Sequence, residues 1–266
     1  MTLIATRNPS DCILELKNPD EGLYTTNHVF EPEFHQEKYV SACTSVAEIK
    51  GAFRIGDSKS LAREIGRGIQ PEYADDENDP ESLKFEGMID GGGEILADPD
   101  HVLNVCALTS ACVRFGFIDT GLARSVSRKF YERVKHRAAV KKNDVLVNST
   151  GDGTIGRVAV YDFDFPSVVD GHVAILRFKD PTLAWYIAAY LLSNNGQLQL
   201  YRYINGSSGQ VEIYPQDIER VWVKPANPEV MKDVGEKLRK AAARHRQFAQ
   251  SMQKALAAIS NEELAV

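Results

Sequence analysis

Between Asp144 and Gly171 the chain reads DVLVNSTGDGTIGRVAVYDFDFPSVVDG and continues through His172 into VAILRF. Short β-branched runs alternate there with clusters of Gly, Ser, Asn and Asp, the pattern of strands joined by tight polar turns. The stretch from Asn205 to Glu219, NGSSGQVEIYPQDIE, repeats that pattern. Val102 to Cys112 and Arg114 to Ile118 read as buried or half-buried strands, and Ser60 to Ile65 as a short helix ended by Gly66-Arg67-Gly68. A further helix is expected around Ser45, Val46 and Ile49. From Asp180 to Leu200 the apolar positions Leu183, Ile187, Tyr190, Leu191 and Leu198 recur at helical spacing, with a break near Asn194-Asn195-Gly196. Trp185, Tyr186 and Tyr190 on that helix could stack bases, but aromatic side chains in such a setting belong first to the core.

The longest periodic segment is the last. Met231, Val234, Leu238, Ala241, His245, Phe248, Met252, Ala255 and Ile259 follow one another at alternating steps of three and four. Such a heptad seam, kept for about four heptads, is the sequence condition for a coiled coil. A helix on the order of 50 Å long needs a partner to bury it, the alternative being a helix that lies along its own domain. His245 reads as a polar interruption of the seam, of the kind that pins register.

Gly151, Gly153 and Gly156 spell a literal GxGxxG after the apolar run Val145-Leu146-Val147. A dinucleotide fingerprint requires a helix to open at the third glycine. The residues that follow, Arg157 to Tyr161, alternate and are β-branched, and Pro166 comes soon after. Strand, glycine-rich turn, strand is the better reading, with the glycines supplying positive φ.

At 266 residues the chain can hold one large domain and an accessory element. The hydrophobic share of 43% and charged share of 26% are those of an ordinary soluble protein. No apolar run reaches membrane-spanning length and no leader pattern opens the chain, so a cytoplasmic protein without membrane contact is expected. Cys12, Cys43, Cys106 and Cys112 lack metal-ligand spacing; Cys106 and Cys112, in an apolar run, read as buried thiols. Neither a metal nor a cofactor is expected. The formal net charge is −6, yet its distribution is uneven. Acidic residues dominate from Glu72 to Asp100, with Lys84 the exception, whereas nine Lys and Arg between Arg114 and Lys142 face only Asp119 and Glu132. Segregation of this kind suits a protein that puts one face on phosphates, and equally a solvated surface of uneven charge.

The order of these pieces resembles the target-recognition domain of type I restriction–modification DNA specificity subunits. Arg67-Gly68-Ile69-Gln70-Pro71-Glu72-Tyr73 looks like that domain's opening segment, and Val105 to Arg114 with Phe117-Ile118-Asp119 like one of its strands and the following turn. Lys142 to Asn148, Gly151 to Val160, Val169 to His172 and Ile175 to Arg177 continue it in order. Gly206 to Gln210 and Ile213-Tyr214-Pro215 with Ile218 close it. The match spans roughly residues 53 to 260 and is weakest before residue 53. Full specificity subunits carry two recognition domains and two long helices, whereas this sequence shows one of each, the organisation of a half-subunit.

The resemblance implies an α/β fold: a mixed-sheet recognition domain over residues 53–226, after an N-terminal lead-in (1–52) and before a long coiled-coil helix (227–266). It further implies a non-catalytic protein that reads half of a bipartite site on double-stranded DNA. Its partners would be DNA adenine methyltransferase subunits, a restriction translocase-nuclease subunit where one exists, and a second copy through the Met231-to-Ile259 seam. Phosphate contacts are expected from Arg128, Lys129, Lys141 and Lys142. Base or backbone contacts are expected from Asn148, Thr150, Arg157, Arg202, Ser207, Ser208 and Gln210. The alternative is a structural or regulatory protein that keeps this fold without reading DNA sequence. An enzyme fits poorly: no methyltransferase motif stands out, nor do clustered carboxylates, and Asp170 and His172, two apart in a strand, are not oriented for proton transfer.

Overall fold

The computed structural model describes residues 4–6, 13–15, 32–57, 59–73, 104–206 and 211–263. Strands β1 (Ile4–Thr6) and β2 (Ile13–Glu15) form a small antiparallel pair, and helix α1 (Glu37–Ala47) follows. The body comprises β3 (Phe53–Arg54), β4 (Gly66–Arg67), β5 (Asn104–Leu108), β6 (Arg124–Ser127), α2 (Arg128–Ala138), β7 (Ala139–Val140), β8 (Val145–Asn148), β9 (Val158–Val160), β10 (Ser167–Val169) and β11 (Val173–Leu176). Then come α3 (Pro181–Leu192), α4 (Asn194–Arg202), α5 (Pro215–Glu219), β12 (Trp222–Val223) and α6 (Pro228–Glu263).

Two four-stranded sheets make the centre. One, ordered β4-β11-β8-β9, is antiparallel throughout. The other, ordered β6-β5-β10-β7, is mixed, because β10 runs parallel to β5 and antiparallel to β7. β12 pairs with β3 beside them.

Strand periodicity explains the layering, since successive side chains point to opposite faces. Val145, Val147, Val158, Val160, Ala174 and Leu176 face one core, where they meet α3 residues such as Ala184, Ile187 and Leu191. Their alternates Leu146, Ala159, Val173 and Ile175 face the second sheet and meet Cys106, Leu108, Val140 and Val169. On that sheet's far side Val105, Ala107, Val126 and Val168 pack on Phe130, Val134 and Ala138 of α2. The order is thus helices, sheet, sheet, helix. Both faces of each sheet are covered, which is why the central strands read as continuous apolar runs.

The glycine-rich segment is the β8–β9 turn of an antiparallel hairpin. Gly151, Gly153 and Gly156 take φ of 90°, 76° and 78°, left-handed values that a side chain would strain. Helices α3 and α4 meet at Ser193, whose hydroxyl caps α4 by accepting from Gly196 N. Trp185 is buried and its Nε1 donates to Asn143 Oδ1 at 3.0 Å, while Tyr190 is half-buried with its hydroxyl on Asn195. Both are fold residues. Cys106 and Cys112 are buried free thiols, their pKa values pushed up by that burial. Among the described residues no helix is long and apolar enough to cross a membrane.

Two expected elements differ. Ser60 to Ile65 is not helical: Ala62 N donates to Arg177 O and Leu61 bridges Phe178, so the segment lies along the sheet edge instead. Arg114 to Ile118 is a tight turn closed by Arg114 N donating to Phe117 O, with Gly116 at φ 89°, rather than a strand. The acidic stretch Tyr73–Pro80 lies outside the described residues beyond Tyr73.

Candidate nucleic-acid interface

Helix α2 reads RKFYERVKHRA. Phe130, Val134 and Ala138 lie four apart and are buried, fixing the helix on the mixed sheet. Ser127 caps it by accepting from Phe130 N at 3.1 Å. That anchoring turns Arg128, Lys129, Arg133, Lys135, His136 and Arg137 outward, all of them exposed. Their acidic neighbours are few. Arg128 and Lys135 both pair with Glu132, and Arg133 reaches Glu72 at 2.5 Å. The helix is therefore a cationic ridge on a chain whose net charge is −6.

Lys141 and Lys142 follow in the exposed turn after β7, at the opposite end of α2 from Arg128 and Lys129. Lys142 Nζ donates to both carboxylate oxygens of Asp164 at 2.9 Å and faces α6 beside Arg239. The four expected phosphate ligands are thus spread along a helix about 15 Å long.

The polar loop residues divide. Thr150 stands at the hairpin end, its hydroxyl 2.6 Å from His172 Nδ1. The strand segment around Glu212 runs beside it: Gly151 N donates to Val211 O and Ile213 N to Ser149 O. Arg67 joins this edge, with Nη1 on Glu212, Nη2 on Ile213 O at 2.7 Å, and its guanidinium carbon 5.5 Å from the centre of the Tyr214 ring. The bond from Arg67 holds the Glu212 carboxyl below its ordinary pKa. The expected contacts Ser207, Ser208 and Gln210 lie outside the described residues. Arg157 is half-buried and folds back to donate to Gly153 O at 2.8 Å.

Two expected contacts are corrected. Asn148 is fully buried and its Nδ2 donates to Ser110 O at 2.7 Å, tying the two sheets together. Arg202 is also buried, donating from Nε to Phe34 O at 3.1 Å and lying over the Phe34 ring. Both side chains donate to main-chain carbonyls within the fold, and neither is exposed on the surface. Asp170 and His172 meet through the main chain. The Asp170 carboxylate accepts from the main-chain N–H groups of Ser110 and His172, and burial raises its pKa.

A basic cleft that the residue-by-residue reading missed opens where β4 meets the C-terminal end of α2. Arg63, Glu64, Arg67, His136, Arg137 and Tyr214 line a space of about 510 Å³. Its members come from three distant stretches of sequence, so only the paired strands bring them together.

The expected coiled-coil seam is also redistributed. Met231, Val234 and Leu238 pack onto the chain's own core, beside α3. Gly235 lies against Trp185, and Ala242, not Ala241, is buried (2% exposed). Arg246 then reaches Asp162 at 3.6 Å and lies over Phe163, while the His245 ring stacks on Phe117 with centroids 4.4 Å apart. Beyond it Phe248 (65% exposed), Met252 (47%), Ala255 and Ile259 (58%) face outward. The seam expected to run unbroken from Met231 to Ile259 is thus one docked segment and one bare one.

No protein-family profile matches the chain, and no curated protein matches it. Among solved structures it is similar to the type IIG restriction endonuclease BpuSI, with TM-score 0.48 and 10% identity over 77% of this chain and 29% of that one. It is also similar to a chain of the type I R-M system, from a structure concerned with complex assembly and conformational transition, with TM-score 0.42 and 15% identity over 82% of this chain and 48% of that one. The chain spans less than half the length of either neighbour.

Proposed function

We propose that this chain is the non-catalytic DNA-recognition subunit of a type I restriction–modification system, in a form with one recognition domain. The observation that carries the reading is the outer face of α2, where five Lys and Arg side chains meet one acidic residue of the helix, Glu132, and Glu72 beside it, on a chain that is acidic as a whole. Cations so placed displace condensed counterions from duplex DNA and hold it without regard to sequence. Sequence would be read by polar side chains at the edge where the β8–β9 turn meets the segment around Glu212, which phosphate contacts bring to the groove. The ordered likeness of residues 53–260 to specificity subunits supports the same conclusion.

One recognition domain reads half of a bipartite site, so the subunit acts as a two-fold dimer in the cytoplasm. Phe248, Met252, Ala255 and Ile259 of two α6 helices pack antiparallel and set the spacing of inverted half-sites. Methyltransferase subunits dock against the helices and one recognition domain each. The test is a gel shift with a randomised bipartite library, with and without a methyltransferase subunit. Enrichment of particular bases in two inverted halves is the expected result. Binding in neither condition would favour a structural or regulatory protein that does not read DNA.

A further inference from the structure

The basic cleft at the end of α2 gathers Arg63, Arg67 and Arg137 against two carboxylates, Glu64 in its wall and Glu212, which pairs with Arg67. Arg63 is half-buried, yet its Nε is enclosed without a hydrogen-bond partner, and its Nη1 reaches only Arg137 O, at 3.4 Å. The nearby carboxylate, Asp144, is already engaged by Arg177 through two bonds of 2.7 and 2.6 Å, with Lys141 N donating to it as well. Arg67, on the adjoining strand, also has a buried Nε without a partner. His136 and Arg137 stand exposed at the rim, and among the described residues neither has an acidic partner in an ion pair. Burial, and then repulsion from Arg177, both work against the charge on Arg63. A half-buried guanidinium with an enclosed, unused donor gains from an anion that completes it.

We propose that this cleft is a phosphate site that seats a backbone phosphodiester of duplex DNA, with Arg63 and Arg137 donating to its non-bridging oxygens. The guanidinium fork suits such oxygens. Continuity of charge singles out the polymer over a free phosphorylated molecule. The cleft opens at the Arg137 end of the α2 ridge, so the same strand that enters it can run past Arg133 and Lys129, which lie four apart along one flank of the helix. The inference rests on the DNA-binding reading and adds to it the place where the strand is gripped.

The experiment is a salt titration of the full chain against 30-base-pair duplexes, comparing the parent with Arg63→Gln, Arg137→Gln and the double variant. Lys240→Gln, at an exposed position on α6, is the control. The double variant should bind every duplex roughly tenfold more weakly, and the slope of log K against log salt should fall in magnitude by about 1–2. The control should match the parent. If Arg63→Gln does not fold, Arg137→Gln, at its exposed position, carries the test alone with a slope change of about 1. His136 ring-proton NMR signals should move when duplex is added to the parent and stay still in the double variant. A parent that binds duplex, with variants of equal affinity and slope, overturns the cleft and leaves the DNA reading standing. A parent that binds no duplex overturns both. Saturation of the His136 shift by inorganic phosphate, without displacement by duplex, would mark a site for a free phosphorylated molecule and also overturn the proposal.

Discussion

The two halves of α6 belong to one helix of 36 residues and carry apolar side chains in similar number, yet they do different work. Up to Ala242 the inward positions centre on Met231, Gly235, Leu238 and Ala242, with Val234 packed at their flank, and continue through Arg246 to Ala249 at a mean step of about 3.6. The stripe of Val234, Ala241, His245, Phe248, Met252 and Ile259 keeps a step of about 3.5. A straight helix drifts by ~20° per heptad relative to such a stripe. Near the start of α6 the two series coincide, and Met231 and Leu238 serve both. By Phe248 they have separated, so the side chains that follow the domain and those that follow the heptad point in different directions. A straight helix on a compact domain therefore buries the start of its seam and leaves the end bare.

The largest expected effect breaks or confirms that division directly. Leu238→Glu should lower the free energy of unfolding by about 2–4 kcal/mol, because the position packs on the α3 core. The pair Phe248→Glu, Ile259→Glu should change it by no more than ~0.5 kcal/mol, as substitutions at exposed positions do. Urea denaturation at nanomolar protein, where association contributes nothing, gives both numbers. Equal losses would show that the halves are not distinct. Sedimentation reads the complementary property. At micromolar concentration the parent should be a dimer and the Phe248, Ile259 variant a monomer, since each such side chain is worth ~1.5–3 kcal/mol when buried. A monomeric parent would remove the dimer.

A second comparison turns on sign. Replacing an interior helical glycine with alanine ordinarily gains about 1 kcal/mol. At Gly235 the new Cβ would come to 2.9 Å from the Trp185 Cβ, closer than two carbons can sit. Gly235→Ala should therefore destabilise, by about 1–3 kcal/mol, through displacement of α6 from α3. Ser251→Ala on the distal half removes only a hydroxyl that donates to Gln247 O, and should gain a few tenths of a kcal/mol. Thermal unfolding of both variants gives the two signs. A stabilising Gly235→Ala would mean that the proximal half is not held against Trp185.

Much of this arrangement is legible in the residues themselves, with a physical limit in each case. The hairpin of β8 and β9 and the break at Ser193 show in short-range patterns, because turns and caps are local. The heptad series in α6 also shows, but periodicity identifies an apolar stripe without saying what covers it. Helix α2 is less visible because its charges dominate the eye, although Phe130, Val134 and Ala138 at steps of four are the signal that places it on the sheet. Asn148 and Arg202 read as polar loop residues, yet each is drawn inward by a main-chain carbonyl, Ser110 O and Phe34 O, from a distant part of the chain. The cleft of Arg63, Arg67 and Arg137 is the least legible. It exists only because β4 pairs with β11 and α2 ends beside it.

The smallest expected effect lies at the boundary between the halves. His245 is the last of the heptad positions to touch the domain, its ring parallel to Phe117 within 6° at 4.4 Å. Aromatic pairs of this kind contribute about 0.5–1.5 kcal/mol beyond their buried area, and at an exposed site the lower end applies. His245→Ala should therefore cost about 0.5 kcal/mol, which in a protein of this size moves the unfolding midpoint by roughly 1–2 °C. His245→Phe keeps a ring in the same place and should restore the loss. The pair of variants separates stacking from any polar role in the seam. If alanine costs nothing, the docked segment ends earlier, at Ala242. If phenylalanine instead shifts the monomer–dimer balance without changing monomer stability, His245 belongs to the bare half and sets register there.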